Sequence, residues 1–179
     1  LVAFGDSISA GYGVSREQSY PAQLQKKIDM AGLKWRVVNM GISGDTTQGG
    51  VSRMGSAIKR MPSIVLIELG GNDGLRGMPV SVSKANIEKL IKGFQEIGAQ
   101  VVLAGMSLPP NYGPKYISDF EAAYKDLAAK YKVTFIPFLL KDIVTKDMRY
   151  FQDDGIHPTA PGAAIVAETV FRAVRPLLK

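Results

Sequence analysis

Four consecutive apolar residues, Ile64-Val65-Leu66-Ile67, stand inside the stretch Ser63–Leu69 and stop at Gly70-Gly71. An unbroken apolar run has no solvent-facing side, so both of its faces must be covered. That condition suits a central strand of a parallel sheet with helices on either side. The flanking sequence repeats the same strand-then-helix alternation. Strands are expected at Leu1–Phe4, Trp35–Met40, Ser63–Leu69, Val101–Ala104 and Val133–Ile136, most of them closed by Gly or Pro. Helices are expected at Pro21–Ala31, Thr47–Arg60, Val82–Ile97, Ile117–Tyr131 and Ala160–Leu178. Their inward faces are read from the 3.6-residue period: Leu24, Ile28 and Ala31; Ile87, Leu90, Ile91 and Phe94; Phe120, Tyr124, Leu127 and Ala128; Ile165, Val170, Val174 and Leu177. Five strands alternating with five helices predict one doubly wound α/β domain over residues 1–179, without a linker or internal repeat. Such sheets bind ligands beyond the carboxyl ends of the strands, near a reversal in strand order.

The sequence just after each strand is therefore where chemistry is sought. The first strand runs into Gly5-Asp6-Ser7. A serine on a tight turn at that edge has its hydroxyl lifted clear of the backbone, although position 9 is Ser, so the spelling G-x-S-x-G is missing. Taken alone, Ser7 reads more readily as a helix cap or turn serine than as a nucleophile. The second strand leads into Gly41-Ile42-Ser43-Gly44-Asp45-Thr46-Thr47, a loop whose backbone N–H groups could bind developing negative charge or simply turn the chain. The third leads into Gly70-Gly71-Asn72-Asp73-Gly74, which alone reads first as turn chemistry, although Asn72 carries an amide donor. Near the C-terminus, Asp154 stands three residues before His157, and the loop then opens the last helix with Thr159 as cap and Pro161 in its first turn. A carboxylate so placed can fix one ring nitrogen and aim the other outward, although the segment alone reads somewhat more readily as a surface histidine beside a helix cap. Composition sharpens this. Cys is absent, which excludes a disulfide scaffold, Cys-ligated metals and a cysteine nucleophile, and His157 is the single histidine, which leaves one side chain of a type suited to act as a base at neutral pH.

The four segments together resemble the signature blocks of the SGNH, or GDSL-type, hydrolase family, in the family's order and across nearly the whole chain: Gly5-Asp6-Ser7, Gly44, Gly70-Gly71-Asn72-Asp73 and Asp154-Gly155-Ile156-His157-Pro158. The resemblance implies a flavodoxin-like three-layer α/β/α sandwich around a five-stranded parallel sheet. It implies Ser7 as nucleophile, His157 as base and Asp154 as its orienting carboxylate. The oxyanion site would be the Ser7 and Gly44 backbone N–H groups with the Asn72 side chain. Longer stretches, such as Ile42-Ser43-Gly44-Asp45-Thr46-Thr47 and Leu108-Pro109-Pro110-Asn111-Tyr112-Gly113, are similar to the bacterial multifunctional thioesterase/arylesterase/lysophospholipase branch. That branch implies hydrolysis of aryl and acyl esters, and of acyl thioesters and lysophospholipids, without metal or organic cofactor. It implies substrate contacts from Asp45, Asp73, Leu75, Arg76, Pro110, Asn111, Tyr112 and Ile156. Acyl-chain length stays open, as does a carbohydrate-ester deacetylase of the same family.

The remaining alternatives are a flavodoxin-like phosphate or nucleotide binder and an inert relative that binds lipid or glycan. The chain has neither G-x-G-x-x-G after a strand nor a Gly-Lys-Ser/Thr loop, and Gly11-Tyr12-Gly13 only imitates one. The formal net charge is +6, from 22 basic and 16 acidic residues spread along the chain, with no basic run of the kind nucleic acid requires. The expected partner is a small-molecule or lipid ester, with no nucleic acid, no integral membrane association and a monomer or weak oligomer in solution. The chain begins at Leu1, inside the first strand and without an initiator Met, so a removed segment that could have held a leader is expected before it, and the branch implies a periplasmic or secreted location, otherwise a cytoplasmic one.

Overall fold

The computed structural model describes residues Leu1–Lys179. Its sheet has five parallel strands: β1 (Val2–Gly5), β2 (Val38–Asn39), β3 (Ile64–Glu68), β4 (Gln100–Ala104) and β5 (Thr134–Ile136). They lie in the order β2-β1-β3-β4-β5, the flavodoxin-like order. Val2 pairs with Val38 on one side and Val65 on the other, so β1 leads outward to β2 and the chain then returns to lay β3 against its opposite edge. The reversal in strand order therefore falls between β1 and β3. Every residue of β3 is buried, as the apolar run requires. Fully burying a side chain of this size is worth roughly 1.5–3 kcal/mol, so this strand anchors the core.

Eight helices surround the sheet: α1 (Ser7–Ala10), α2 (Tyr20–Met30), α3 (Thr47–Ile58), α4 (Gly71–Leu75), α5 (Val80–Glu96), α6 (Pro114–Tyr131), α7 (Lys141–Val144) and α8 (Ala160–Val174). α2 packs on α8, while α3, α5 and α6 pack side by side. One apolar cluster of 39 buried residues joins these layers, from Leu1 to Leu178.

The expected elements are present, with corrections to β2, to the end and inward face of α8 and to Ala31, while the short helices α1, α4 and α7 go beyond those expected. β2 shrinks to Val38–Asn39, because it is an edge strand that meets only β1 and its residues are half-buried or exposed. α8 stops at Val174, and a 3₁₀ turn over Arg175–Leu177 follows, since Pro176 cannot donate into a continuing helix. The inward face of α8 is Ala163, Val166, Ala167, Val170 and Val174, with Ile165 and Leu177 only packed against the core, and Ala31 lies beyond the end of α2 and is exposed.

Candidate active site

Three segments meet at the carboxyl ends of β1 and β3. β1 ends at Gly5, and Asp6 then caps α1, its carboxylate accepting from the Ile8 N–H at 3.0 Å. Ser7 is thereby the first helical residue, its own N–H free of any intrahelical partner. Gly5 is required for contact: a Cβ there would collide with Ser9 Oγ and Glu68 Oε2. Position 9, where the elbow motif has glycine, is a buried serine whose hydroxyl meets the Tyr20 hydroxyl and donates to Glu68 Oε2, both at 2.7 Å.

The second segment arrives from the other end of the chain. His157 Nε2 lies 2.8 Å from Ser7 Oγ, across 150 residues of sequence. Its Nδ1 lies 2.6 Å from Asp154 Oδ2. Asp154 Oδ1 accepts the backbone N–H groups of Ile156 and His157, both at 2.9 Å, which is how a three-residue spacing in a loop locks carboxylate and ring together. Partial burial opposes ionisation of Asp154, but these hydrogen bonds outweigh it and hold its carboxyl below the ordinary carboxylate range. The Tyr12 ring packs on the imidazole at 4.6 Å between centroids. Gln152 ties the two loops, donating to Tyr12 O at 2.7 Å and to Pro158 O at 3.0 Å, while its N–H donates to His157 O at 2.8 Å. Neither Tyr12 nor Gln152 is among the expected site residues. Nothing in a lone aromatic or a lone amide signals a contact that depends on two distant loops meeting.

The third segment supplies donors. Asn72 Nδ2 donates to Asp45 O at 2.9 Å and to Asp6 Oδ2 at 3.3 Å, so its amide sits between the Gly44 loop and the Ser7 turn. Gly44 has φ +79°, a left-handed conformation that favours glycine, and is exposed. Arg53 binds this loop to the sheet, donating to Asp45 Oδ2 at 2.6 Å, Met40 O at 2.8 Å and Gly5 O at 2.9 Å. A hydroxyl, an imidazole and a carboxylate in one hydrogen-bonded line, beside backbone and amide donors, is the geometry that nucleophilic acyl transfer requires.

Beside this line runs an apolar groove of about 430 Å³, walled by Leu75, Met106, Leu108, Phe138, Leu140 and Ile156. Ile8, Gly71 and Ile156, each next in sequence to Ser7, Asn72 or His157, also line it. Of the eight residues expected to touch substrate, Leu75, Pro110 and Ile156 line the groove. The others are placed differently. Asp73 is fully buried, and its two oxygens accept from the Thr47 N–H at 2.9 Å and the Thr47 hydroxyl at 2.5 Å, so it braces α3 against α4. Asp45 is turned into its ion pair with Arg53. Arg76 donates to Gly44 O at 3.2 Å, and Tyr112 donates to Leu75 O at 2.7 Å; both tether loops. Asn111 is exposed outside the lining. The far wall, Phe138, Leu140, Val144 and Met148, lies in a segment from which no contact was expected.

Comparison with known proteins agrees with this geometry. The chain is 42% identical over 179 residues to esterase TesA of Pseudomonas aeruginosa, covering 99% of this chain and 89% of that protein. It is 37% identical over 179 residues to thioesterase 1/protease 1/lysophospholipase L1 of Escherichia coli K12, covering 99% and 84%. The crystal structure of TesA aligns with a TM-score of 0.94 at 42% identity, covering 99% of this chain and 98% of that one. The family profile reaches from residue 3 in β1 to residue 165 in α8, and so spans all three segments that converge on Ser7; the chain belongs to the GDSL-like lipase/acylhydrolase family.

Proposed function

We propose that residues 1–179 form a single hydrolase domain that cleaves aryl and acyl esters, and acyl thioesters and lysophospholipids with them, through an acyl-serine intermediate. The observation that carries this reading is the unbroken Asp154–His157–Ser7 line, at 2.6 and 2.8 Å, opening onto an apolar groove. Ser7 Oγ attacks the acyl carbonyl while His157 Nε2 takes its proton. Asp154 stays ionised and stabilises the imidazolium. The Ser7 and Gly44 N–H groups and Asn72 Nδ2 hold the tetrahedral oxyanion. As the intermediate collapses, His157 returns the proton to the leaving oxygen or sulfur, and water then repeats the attack on the acyl-serine.

A groove of about 430 Å³ with apolar walls favours long acyl chains over a compact acetyl pocket, which argues against the deacetylase alternative. The names of the relatives, esterase and thioesterase/lysophospholipase, support the same substrate class. A periplasmic or secreted location belongs to this proposal by resemblance; no helix of the chain is long and apolar enough to cross a membrane. The test is a panel of p-nitrophenyl esters of increasing chain length, acyl-CoA, lysophospholipid and acetylated sugar. Turnover should be highest on the longer acyl substrates, and Ser7→Ala should remove it together with labelling by a fluorophosphonate. Parent-rate hydrolysis by a folded Ser7→Ala protein would refute the mechanism.

A further inference from the structure

One buried acid takes no part in these steps. Glu68, the last residue of β3, is fully buried directly beneath the Ser7 turn. Its Oε2 accepts three donors: Asp6 N–H at 3.2 Å, Ser9 N–H at 3.1 Å and the Ser9 hydroxyl at 2.7 Å. Its Oε1 is buried with no donor at all. The Asp6 carboxyl, itself 2% exposed, belongs to the residue whose N–H this acid accepts, and it lies close enough to the Glu68 carboxyl for a side-chain hydrogen bond. Two carboxylates so close, out of water, cannot both be ionised without a cation between them. Arg53 is committed to Asp45, Met40 O and Gly5 O. The other ionisable groups around the pair are Tyr20 from α2, Tyr124 from α6, Asp45 and His157. None of these puts a donor on Glu68 Oε1.

We propose that Glu68 is a positioning residue for the oxyanion site: it carries a proton on Oε1 and donates it to the Asp6 carboxylate, which in turn orients the Asn72 amide. One proton shared by the pair satisfies the orphaned Oε1 and leaves one negative charge near the oxyanion instead of two. It leaves Asp6 free to accept from Ile8 N–H and Asn72 Nδ2 at once, which fixes the Ser7 turn and the amide donor relative to each other. Burial, and then the neighbouring Asp6 charge, push the Glu68 carboxyl well above its ordinary value, in keeping with this assignment.

The proposal rests on the catalytic reading above for its kinetic consequence but not for its proton, and the two are tested apart. Glutamine mimics the neutral acid: its oxygen can accept the three donors while its amide donates to Asp6. Glu68→Gln should therefore keep kcat within about threefold of the parent, whereas Glu68→Leu should lower kcat about tenfold or more with little change in KM, because the loss is felt in the transition state. Independently of turnover, infrared difference spectra of the folded parent at pH 8 should show the carbonyl stretch of one protonated carboxylic acid, and Glu68→Gln should lack it. Absence of that band in the parent, its persistence in Glu68→Gln, a Glu68→Gln protein as slow as Glu68→Leu, or parent-like turnover of Glu68→Leu would each overturn the proposal. If Glu68→Leu does not fold, the Gln variant and the spectrum still decide it. A band present in an enzyme whose activity survives Ser7→Ala would sink the catalytic reading while leaving the proton assignment standing.

Discussion

At Asp6, one side chain does two jobs with opposite energetic signs. It caps α1, which places Ser7, and it is buried as a carboxylate, which is costly. Burial pushes its pKa from 3.8 up to about 6, against hydrogen bonds from Ile8 and Glu68 that favour the ionised form. The folded state thus holds this proton more tightly than the unfolded chain does. Stability from this residue is greatest below the unfolded value and is lost as pH rises through about 6, by roughly 3 kcal/mol at ~1.4 kcal/mol per pKa unit. Asp6→Asn removes the titration. Its unfolding free energy minus that of the parent should therefore rise by about 2–3 kcal/mol between pH 4 and pH 7.5, read from urea unfolding at each pH. A difference that stays flat would mean the Asp6 carboxyl is not held in a desolvated site. Asn72 poses the complementary case. Its two amide hydrogens go to Asp45 O at 2.9 Å and to Asp6 Oδ2 at 3.3 Å, so an oxyanion takes over the longer bond while Asp45 O keeps the amide in place. Asn72→Ala should lower kcat by about 10²–10³ while KM changes little. An effect confined to KM would remove the residue from the oxyanion site.

At the scale of elements, long segments with a period were legible in the sequence and single turns were not. β3 could be read from four apolar residues, and α5 from Ile87, Leu90, Ile91 and Phe94, because burial on one side leaves a periodic trace. α1, α4 and α7 have four or five residues each, too few for any period to repeat. Yet α1 and α4 carry Ser7 and Asn72, and there the local chemistry of Gly-Asp-Ser and Gly-Gly-Asn-Asp stood in for periodicity. The groove was less legible still. The sequence around Asp45, Asp73 and Arg76 marked a functional region, but residue type could not say whether each side chain faces substrate or braces the loop that does. Tyr112 shows how the bracing works. It and Tyr116 donate to Leu75 O and Met78 O at 2.7 and 2.6 Å, clamping the end of α4 and the residues after it against the Pro110 turn and the start of α6. Replacing both by Phe frees those carbonyls and loosens one wall of the groove. KM for long-chain esters should rise about three- to tenfold, while kcat/KM for p-nitrophenyl acetate, which hardly uses the wall, should stay within about twofold. Equal losses on both esters would place the two tyrosines at the reacting centre instead.

Across the whole molecule, the problem is that nucleophile and base come from opposite ends of the chain, and the sheet alone does not set their separation. Ser7 is fixed by β1 and by its cap. His157 belongs to a loop that precedes α8, and α8 is fixed by packing on α2 rather than on β1. The 2.8 Å contact between them therefore depends on how faithfully the helical layer docks, and a shift of even 1 Å would matter to proton transfer. Gln152 removes most of that freedom. It bonds to Tyr12 O in the N-terminal loop and to both carbonyls that flank the histidine loop, His157 O and Pro158 O, so it fastens one end of the chain to the other within a few residues of the reacting atoms. It packs so closely on Gly13 that a Cβ added there would collide with its amide. Gln152→Ala keeps the backbone bond to His157 O but cuts the two side-chain bonds. Because α8 still packs on α2, its melting temperature should fall by no more than a few degrees, about the effect of 1 kcal/mol. The imidazole, by contrast, should wander relative to Ser7 Oγ, and kcat should drop about tenfold or more. Fluorophosphonate labelling of Ser7 should slow in the same proportion, since it needs the same activated hydroxyl. A Gln152→Ala enzyme with parent kcat would show that helix docking alone holds the catalytic distance, and that the bridge between the two ends of the chain is incidental.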